Sequence, residues 1–322
     1  MLVLRADPWM PDYGMGFEAP MDEAPASADP IVETDDWSEP LAPPAVPPEP
    51  VSFVDGVRRV DLRLIAEQND ARAPGLFGSY AVGCVTSDGR ASFGDHLVKR
   101  AVVLGGGLRP ERIEVPAGSD FLAFDPESQP GDDPDRPLWG LQQLMRKAEG
   151  TMAAKSAAGG DGVVIVDGPL TFFDPTKSPV VGVVKRFARM YLDPERDSLV
   201  GRLKEGQRTP LFGVGHEGQP VDRYSWYSRL VPGRPHWHAH AGVVRCEVAE
   251  GVGLEAAVSL ADRVSAMLPS YAGRPSDPRA PQNLAPVGSL ERWLRHRLGH
   301  PGIVRRALLG WLVGGGGRSG GS

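Results

Sequence analysis

Residues 162–168 read Gly-Val-Val-Ile-Val-Asp-Gly, a short apolar run that ends in a carboxylate and a turn-forming glycine. Consecutive β-branched residues are typical of a strand that is buried on both faces, as in a parallel sheet covered by helices. The tip of such a strand is where a side chain can leave the core and line a cleft. The run therefore predicts a central strand and makes Asp167 a candidate site residue.

Three extended segments precede this strand, over residues 51–64, 78–86 and 91–104. They are rich in β-branched residues and are joined by turns containing Gly or Asp, which predicts an antiparallel meander. Residues 138–157 instead place Leu141, Leu144, Met145, Ala148 and Met152 at helical spacing. The resulting order, β-β-β-α-β, predicts an α/β domain with a mixed sheet and flanking helices.

The second half of the chain continues with similar signals. Strands are predicted over 180–187, 223–231 and 238–248, and helices over 254–267, 290–298 and 303–312. No internal repeat or break in composition divides the middle of the chain. We therefore expect one domain over residues 50–313.

The two ends have a different composition from the middle. Residues 1–49 are rich in Pro, Asp and Glu with few large apolar residues, which predicts a disordered acidic arm. One hypothesis is that this arm mimics DNA and competes for a basic face of the domain. Residues 314–322 are mostly Gly and Ser, which predicts a flexible tail.

The net charge of −6 comes from this acidic arm. Residues 1–50 contain 11 Asp and Glu against the single Arg5, whereas the remainder contains 34 Lys and Arg against 30 Asp and Glu. Arg greatly outnumbers Lys, which suits bidentate phosphate contacts, although high-GC codon usage produces the same bias. The charge pattern is therefore compatible with nucleic-acid binding without requiring it.

Cysteine content and hydropathy indicate the compartment. Only two cysteines are present, far apart in sequence, so neither a disulfide framework nor a cysteine metal knuckle is predicted. The N-terminus lacks a basic segment followed by an apolar stretch, and no run approaches membrane-spanning length. We expect a cytoplasmic protein that does not interact with membranes.

Two further carboxylates accompany Asp167. Asp55 lies in the apolar segment Phe-Val-Asp-Gly-Val at 53–57, where an unpaired carboxylate would be costly. Glu149 follows Met145 by four residues, at the edge of the apolar stripe of the predicted helix. Alternatively, both Asp-Gly pairs are ordinary strand-ending turns and Glu149 is a surface residue.

If these three carboxylates converge, they form an oxygen-rich site for Mg²⁺ or Mn²⁺. Two such ions can activate a water molecule and stabilise the leaving oxygen in phosphodiester hydrolysis. The predicted metal ligands are therefore Asp55, Glu149 and Asp167. Gly105-Gly106-Gly107 lacks the Lys-Ser/Thr of a phosphate-binding loop, so no nucleotide cofactor is predicted.

The same residues resemble the motifs of the NurA-type DNA repair nucleases, here as a bacterial member. The segments around Asp55 and Asp167 are similar to its two Asp-containing motifs, and Glu149 to its acidic helix position. Further similar segments are Val-Gly-Val-Val-Lys at 181–185, Tyr-Ser-Arg-Leu at 227–230, Val-Val-Arg-Cys-Glu at 243–247 and Pro-Gln-Asn-Leu-Ala-Pro-Val-Gly at 281–288. The resemblance covers roughly residues 51–300.

This resemblance implies an RNase H-like fold and a nuclease dependent on Mn²⁺ or Mg²⁺ that processes DNA double-strand breaks. It implies a homodimer that acts with a HerA-type hexameric ATPase. Lys185 would contact the acidic site or the scissile phosphate, unless it is a strand-end lysine with its head in water. Arg229 and Arg245 would lie on the Arg-containing strands, where we expect them to contact DNA.

One departure from the family concerns the fourth metal ligand. Archaeal members carry an Ala-His pair in the C-terminal motif, where this chain has Val287-Gly288. Asp277 and Glu291 flank this position and are candidate substitutes, but each could instead pair with Arg279 or Arg295. The alternative to a nuclease is a catalytically silent RNase H-like subunit that binds DNA or an ATPase.

Two other groups of residues are candidates for binding. Arg279, Arg292 and Arg295, with other C-terminal arginines and tryptophans, are suited to the DNA backbone or to a partner protein. His236, His238 and His240 alternate, so in a strand they would share one face, either as an exposed surface or as a transition-metal site. A hydrolase centred on these histidines is a third hypothesis.

Overall fold

The computed structural model describes residues 1–8, 26–45, 47, 49–159, 162–170, 179–186, 190–216, 220–273 and 282–319. These residues form a mixed α/β structure with a large, mostly antiparallel sheet. In the described ranges, every helix is too short or too polar to cross a lipid bilayer.

The strands are β1 (Leu2–Ala6), β2 (Ala26–Asp29), β3 (Val51–Gln68), β4 (Ala71–Ser87), β5 (Ala91–Leu104), β6 (Ile113–Ala117), β7 (Asp120–Ser128), β8 (Val163–Asp167), β9 (Val180–Val184), β10 (Phe212–His216), β11 (Arg223–Arg229), β12 (Val243–Ala249) and β13 (Arg318–Ser319). The helices are α1 (Arg136–Ala158), α2 (Pro194–Arg202), α3 (Leu254–Met267), α4 (Ala285–Arg297) and α5 (Pro301–Trp311).

The centre of the sheet has the predicted meander and parallel strand. The main path of the sheet runs β2-β10-β11-β12-β9-β8-β3-β4-β5-β7-β6. β3, β4 and β5 are successive antiparallel neighbours, while β8 is parallel to β3 and β9 is parallel to β8. The buried run of β8 therefore sits between two parallel neighbours, which explains why both of its faces are apolar.

Helices cover both faces of this central sheet. On one face, Leu141 and Met145 of α1 pack with Val54 of β3 and Val166 of β8. On the opposite face, α3 and α4 pack against a core that contains Phe53 of β3. Side chains alternate between the faces along a strand, so each strand contributes to both cores.

The prediction of a disordered arm over residues 1–49 is wrong for the described part of that range. β1 pairs with β3, and β2 adds to the edge of the sheet by pairing with β10. Glu33 then binds the buried Arg208 through both carboxylate oxygens, at 2.8 and 2.9 Å. Backbone pairing and a buried ion pair are interactions that composition does not reveal. Residues 9–25, 46 and 48 lie outside the described residues.

Other sequence predictions also need correction. Residues 239–242 form turns, residue 238 has no regular structure, and β12 begins only at Val243. α4 begins at Ala285, five residues before the predicted start, because Pro286 occupies its first turn, where no backbone donor is needed. The predicted flexible tail contains β13, which pairs with β1, whereas residues 320–322 lie outside the described residues.

Candidate metal centre

Asp55 and Asp167 lie side by side on adjacent strands. β3 and β8 run parallel, with Val54 of β3 opposite Val166 of β8. The residues just before these two partners, Phe53 and Ile165, pack together in the core beneath α3 and α4. Strand alternation therefore directs both aspartates toward this same face of the sheet.

Glu291 reaches the two aspartates from α4. One carboxylate oxygen from each of Asp55, Asp167 and Glu291 lies within 4.8 Å of the other two. α4 is held over β3 and β4 because its buried stripe, which includes Leu290 and Leu294, joins the core on that face. We refer to Asp55, Asp167 and Glu291 as the carboxylate triad.

Of the two candidates for a fourth ligand, the structure therefore places Glu291 at the site. Its carboxylate also accepts a hydrogen bond from Arg295 at 3.0 Å, so both of the roles considered for Glu291 are present. Asp277 and Arg279 lie outside the described residues, and nothing further is assigned to them.

Charge is crowded in the triad. Asp55 is only 6% exposed, and burial raises its pKa well above the ordinary range. The neighbouring carboxylates of Asp167, Glu149 and Glu291 raise it further, while the Lys185 ammonium acts in the opposite direction. An all-oxygen group of this charge fits a hard divalent cation. Such a cation would relieve the repulsion between the carboxylates that Lys185 does not balance.

Lys185 contacts the triad directly, as predicted for the strand that follows Asp167. Its Nζ lies 2.7 Å from Asp167 Oδ2 and also donates to Asn283 Oδ1 at 3.3 Å. Only 17% of the Lys185 side chain is exposed. The alternative of a strand-end lysine with its head in water therefore does not describe this residue.

Glu149 stands apart from the triad. It lies on α1, on the other face of the sheet from the helix that carries Glu291. Its Oε2 forms a 2.7 Å ion pair with Arg146, whose Nη1 also donates to the Asp167 carbonyl oxygen at 2.7 Å. Among the described residues, the third carboxylate grouped with Asp55 and Asp167 is therefore Glu291, and the role of Glu149 as a metal ligand stays a prediction.

Glu149 nevertheless has an unusual environment. Its side chain is fully buried, with Oε2 paired to Arg146. Burial raises the pKa of Glu149, against the opposing effects of Arg146 and of a hydrogen bond with the Gly56 backbone. A buried carboxylate is costly to charge without such partners.

Two glycines make this arrangement sterically possible. A Cβ on Gly56 would come within 2.5 Å of Glu149 Oε1 and 2.9 Å of Met145 Cγ. Gly168 has a φ of +115°, and a Cβ there would overlap the Arg146 guanidinium. The Asp-Gly pairs are thus more than strand-ending turns, because each glycine lets a charged group of α1 approach the sheet.

Sequence reasoning did not single out the side chain of Glu247. This residue of β12 is 1% exposed and accepts a 2.5 Å hydrogen bond from the backbone of Leu170. Arg223 and Arg245 lie 3.4 and 3.7 Å from its carboxylate. Glu247 therefore holds the backbone of Leu170, three residues after Asp167, against β12. The signal was a pair of charged residues, Arg245 and Glu247, within an otherwise apolar strand.

The arginines predicted to contact DNA fall into two groups. Arg229 is 3% exposed and donates to the carbonyl oxygens of Ala239 and Ala241, at 2.6 and 2.8 Å. Arg245 is similarly buried, with its guanidinium 4.7 Å from the Tyr191 ring centroid. The predictions that Arg229 and Arg245 contact DNA are therefore corrected, because both side chains are buried. Arg292 and Arg295 form the second group and are exposed on α4.

The three histidines lie in the irregular segment before β12 and not on one strand face. The rings of His238 and His240 are 5.2 Å apart, and His240 Nε2 lies 3.6 Å from Asp197 Oδ2. His236, His238 and His240 are not part of a three-ligand metal group within the described ranges. The hypothesis of a histidine-centred hydrolase gains no support from this arrangement.

Comparison with known proteins gives no assignment. No protein-family model matches the chain. A search of curated proteins likewise gives no significant match.

Proposed function

We propose that this protein is a metal-dependent DNA nuclease that hydrolyses phosphodiester bonds. The observation that carries the proposal is the carboxylate triad, with Lys185 in contact with Asp167. Three acidic side chains around one point, of which Asp167 is 20% exposed, are suited to metal-assisted hydrolysis of a phosphate ester.

The sheet order supports an RNase H-like core for this nuclease. The sequence of neighbours β9-β8-β3-β4-β5 combines a three-stranded antiparallel meander with two strands parallel to its first strand. The two aspartates lie on β3 and β8, the adjacent parallel strands at the centre of that core. This is where the resemblance to NurA-type nucleases places its two Asp motifs.

Each group of the site has a distinct task in this proposal. Asp55, Asp167 and Glu291 would hold Mn²⁺ or Mg²⁺, which would supply activation of a water molecule and stabilisation of the leaving oxygen. Lys185 orients the Asp167 carboxylate and presents a positive charge to the scissile phosphate. Arg146 holds Glu149 and the Asp167 carbonyl in place, so that the tip of β8 is rigid.

The resemblance extends the proposal to the cellular role. A NurA-type nuclease would act in the cytoplasm on DNA double-strand breaks, as a homodimer with a HerA-type hexameric ATPase. The support from the chain is that Asp55, Asp167 and Lys185, which lie in three separate motifs, converge at one site.

The test is cleavage of end-labelled single- and double-stranded DNA with Mn²⁺, Mg²⁺ or EDTA. We expect metal-dependent cutting by the wild type and a loss of at least about a hundredfold in Asp167→Asn, which removes a ligand charge with little change in shape. Asp120→Asn, at an exposed position on β7, is the matched control and should retain activity. Equal cutting by the wild type and Asp167→Asn would refute the assignment.

A catalytically silent subunit is the second candidate, and two ion pairs favour it. Lys185 neutralises Asp167 and Arg146 neutralises Glu149, so part of the negative charge is already balanced within the chain. A folded wild type that binds DNA or the ATPase but cuts nothing with any of these ions, even with the ATPase present, would support this candidate.

A further inference from the structure

An exposed aromatic stack involves α4, the helix that carries Glu291 of the carboxylate triad. The ring of Phe93 on β5 is parallel to that of Trp293 on α4, with 4.8 Å between centroids and an interplanar angle of 2°. Phe93 is 45% exposed. The guanidinium carbon of Arg297 lies 4.8 Å from the Trp293 ring centroid, so the stacked rings also have a cation–π contact.

A β-bulge builds this arrangement. In the pairing of β4 with β5, Gly83 lies opposite His96 and Val85 lies opposite Phe93, so β5 contains an extra residue at this point. Phe93 and His96 are three residues apart, so in a regular strand without a bulge their side chains would point to opposite faces of the sheet. With the bulge, both rings contact Trp293, since His96 meets it edge-on at 4.7 Å. Bulges re-aim side chains in this way near functional sites.

The geometry of α4 connects the stack to the triad. Its buried stripe contains Val287, Leu290 and Leu294, and successive residues turn by about 100° around the axis. Glu291 and Trp293 therefore flank this stripe on opposite sides. The outward face between them carries Arg292, Arg295 and His296, all exposed. A polyanion that crosses this face would meet positive charge between the stack and the triad.

We propose that Phe93 and Trp293 form a stacking platform for an unpaired base of the DNA strand whose backbone crosses α4 toward the triad. A base offers a π-face to Phe93, and its phosphates match the charge of the arginines on the outward face of α4. Duplex DNA keeps its bases stacked on each other, so the platform selects a single-stranded segment. This inference rests on the proposed nuclease function and names the form of its substrate.

The test measures binding without cleavage, by fluorescence anisotropy in EDTA at fixed salt. It compares a labelled oligothymidylate with an abasic oligomer of the same length and the same phosphates. We expect the wild type to bind the oligothymidylate about fivefold to about a hundredfold more tightly than the abasic strand, the range for stacking of one base. Phe93→Ala should lose this preference and bind the abasic strand unchanged.

Two controls make the outcome specific. Phe93→Tyr keeps an aromatic face and should retain the preference, and Phe121→Ala removes an exposed phenylalanine on β7 and should behave as the wild type. Persistence of the preference in Phe93→Ala, or no preference or no binding in the wild type, would overturn the platform. Because EDTA prevents metal-dependent cutting, failure of the nuclease proposal appears only in the cleavage assay, and the two failures are distinguishable.

Discussion

Asp55 shows how the triad opposes folding when no cation is bound. The pKa of Asp55 is raised in the folded state. At a pH above the ordinary titration range of Asp, folding therefore either takes up a proton at Asp55 or keeps its carboxylate charged and repelled by the neighbouring carboxylates. Both outcomes reduce stability as pH rises. The buried position of Asp55 between other carboxylates is therefore explained more readily by a bound ligand than by stability of the fold.

Asp55→Asn should consequently have effects of opposite sign with and without metal. In EDTA near neutral pH, we expect the variant to be more stable than the wild type by at least about 1 kcal/mol, because a repelled buried charge is removed. Saturating Mn²⁺ should stabilise the wild type by about 2.7 kcal/mol at a hundred times its dissociation constant, and the variant far less. Urea unfolding measures both quantities, and an equal Mn²⁺ gain in the two proteins would contradict a metal site at Asp55.

Gly56 separates Asp55 from the buried Glu149, and it permits no side chain. We expect Gly56→Ala to lower the free energy of unfolding by about 1–3 kcal/mol, since its methyl would overlap Glu149 and Met145. Gly310→Ala in α5 is the matched control, because no atom lies within 4 Å of the added Cβ. That control should be neutral or stabilising in chemical denaturation. An unchanged free energy of unfolding in Gly56→Ala would show that α1 is not held this close to β3.

Residues 26–39, which comprise β2 and the segment after it, cover the edge of the sheet at β10, and we call them the strap. Glu33 binds Arg208, which is 2% exposed and also contacts Asp262 at 2.7 Å. Glu33→Gln should lower the free energy of unfolding by about 2–4 kcal/mol, because it leaves buried positive charge with less compensation. Glu39→Gln in the same strap should change it by less than about 1 kcal/mol, since Glu39 is exposed. Similar losses in both variants would argue against a structural role for the Glu33 pair.

α4 is the element on which the two proposed activities depend. One side of this helix supplies Glu291 to the triad, the other supplies Trp293 to the aromatic stack, and the buried stripe between them anchors both to β3 and β4. Because β3 also carries Asp55, the distance between the stack and the triad is set by packing of one helix on one pair of strands. This rigidity suits a site that must hold a phosphate and a base in register.

The described N-terminal strands β1 and β2 belong to the same sheet as the rest of the fold. Deletion of residues 1–48 removes β1, β2 and the Glu33 partner of Arg208, and it uncovers the edge of β10. We expect the truncated protein to unfold at a lower urea concentration and to aggregate more readily, because an open edge strand can pair with another chain. Circular dichroism and light scattering measure these changes, and an unchanged midpoint would contradict the structural role.

The DNA-mimic hypothesis for the acidic arm consequently needs a milder test than truncation. Asp35→Asn combined with Glu39→Gln removes two exposed negative charges and leaves the Glu33 ion pair intact. If the arm competes for a basic face, this double variant should bind DNA more tightly at low salt and equally at high salt. An unchanged affinity at low salt would dispose of competition by these two charges.

Local patterns were sufficient to predict the centre of this molecule. The β-branched runs of β3 and β8 and the helical spacing of α1 are repeated signals over many residues, so alternation and periodicity identify them without tertiary information. Asp55 and Asp167 could be singled out for a related reason, because a charge within or at the end of an apolar run stands out against its neighbours. Lys185 at the end of β9 is recognisable in the same way.

Tertiary structure alone decided which groups meet around these residues. Glu149 and Glu291 each lie on a helix beside an apolar stripe, and no local pattern states which face of the sheet that helix covers. The exclusion of Glu149 from the triad, the pairing of the strap with β10 and the burial of Arg229 and Arg245 all depend on contacts between residues distant in sequence. Sequence periodicity identifies the face of an element that is buried, but only packing determines what lies opposite that face.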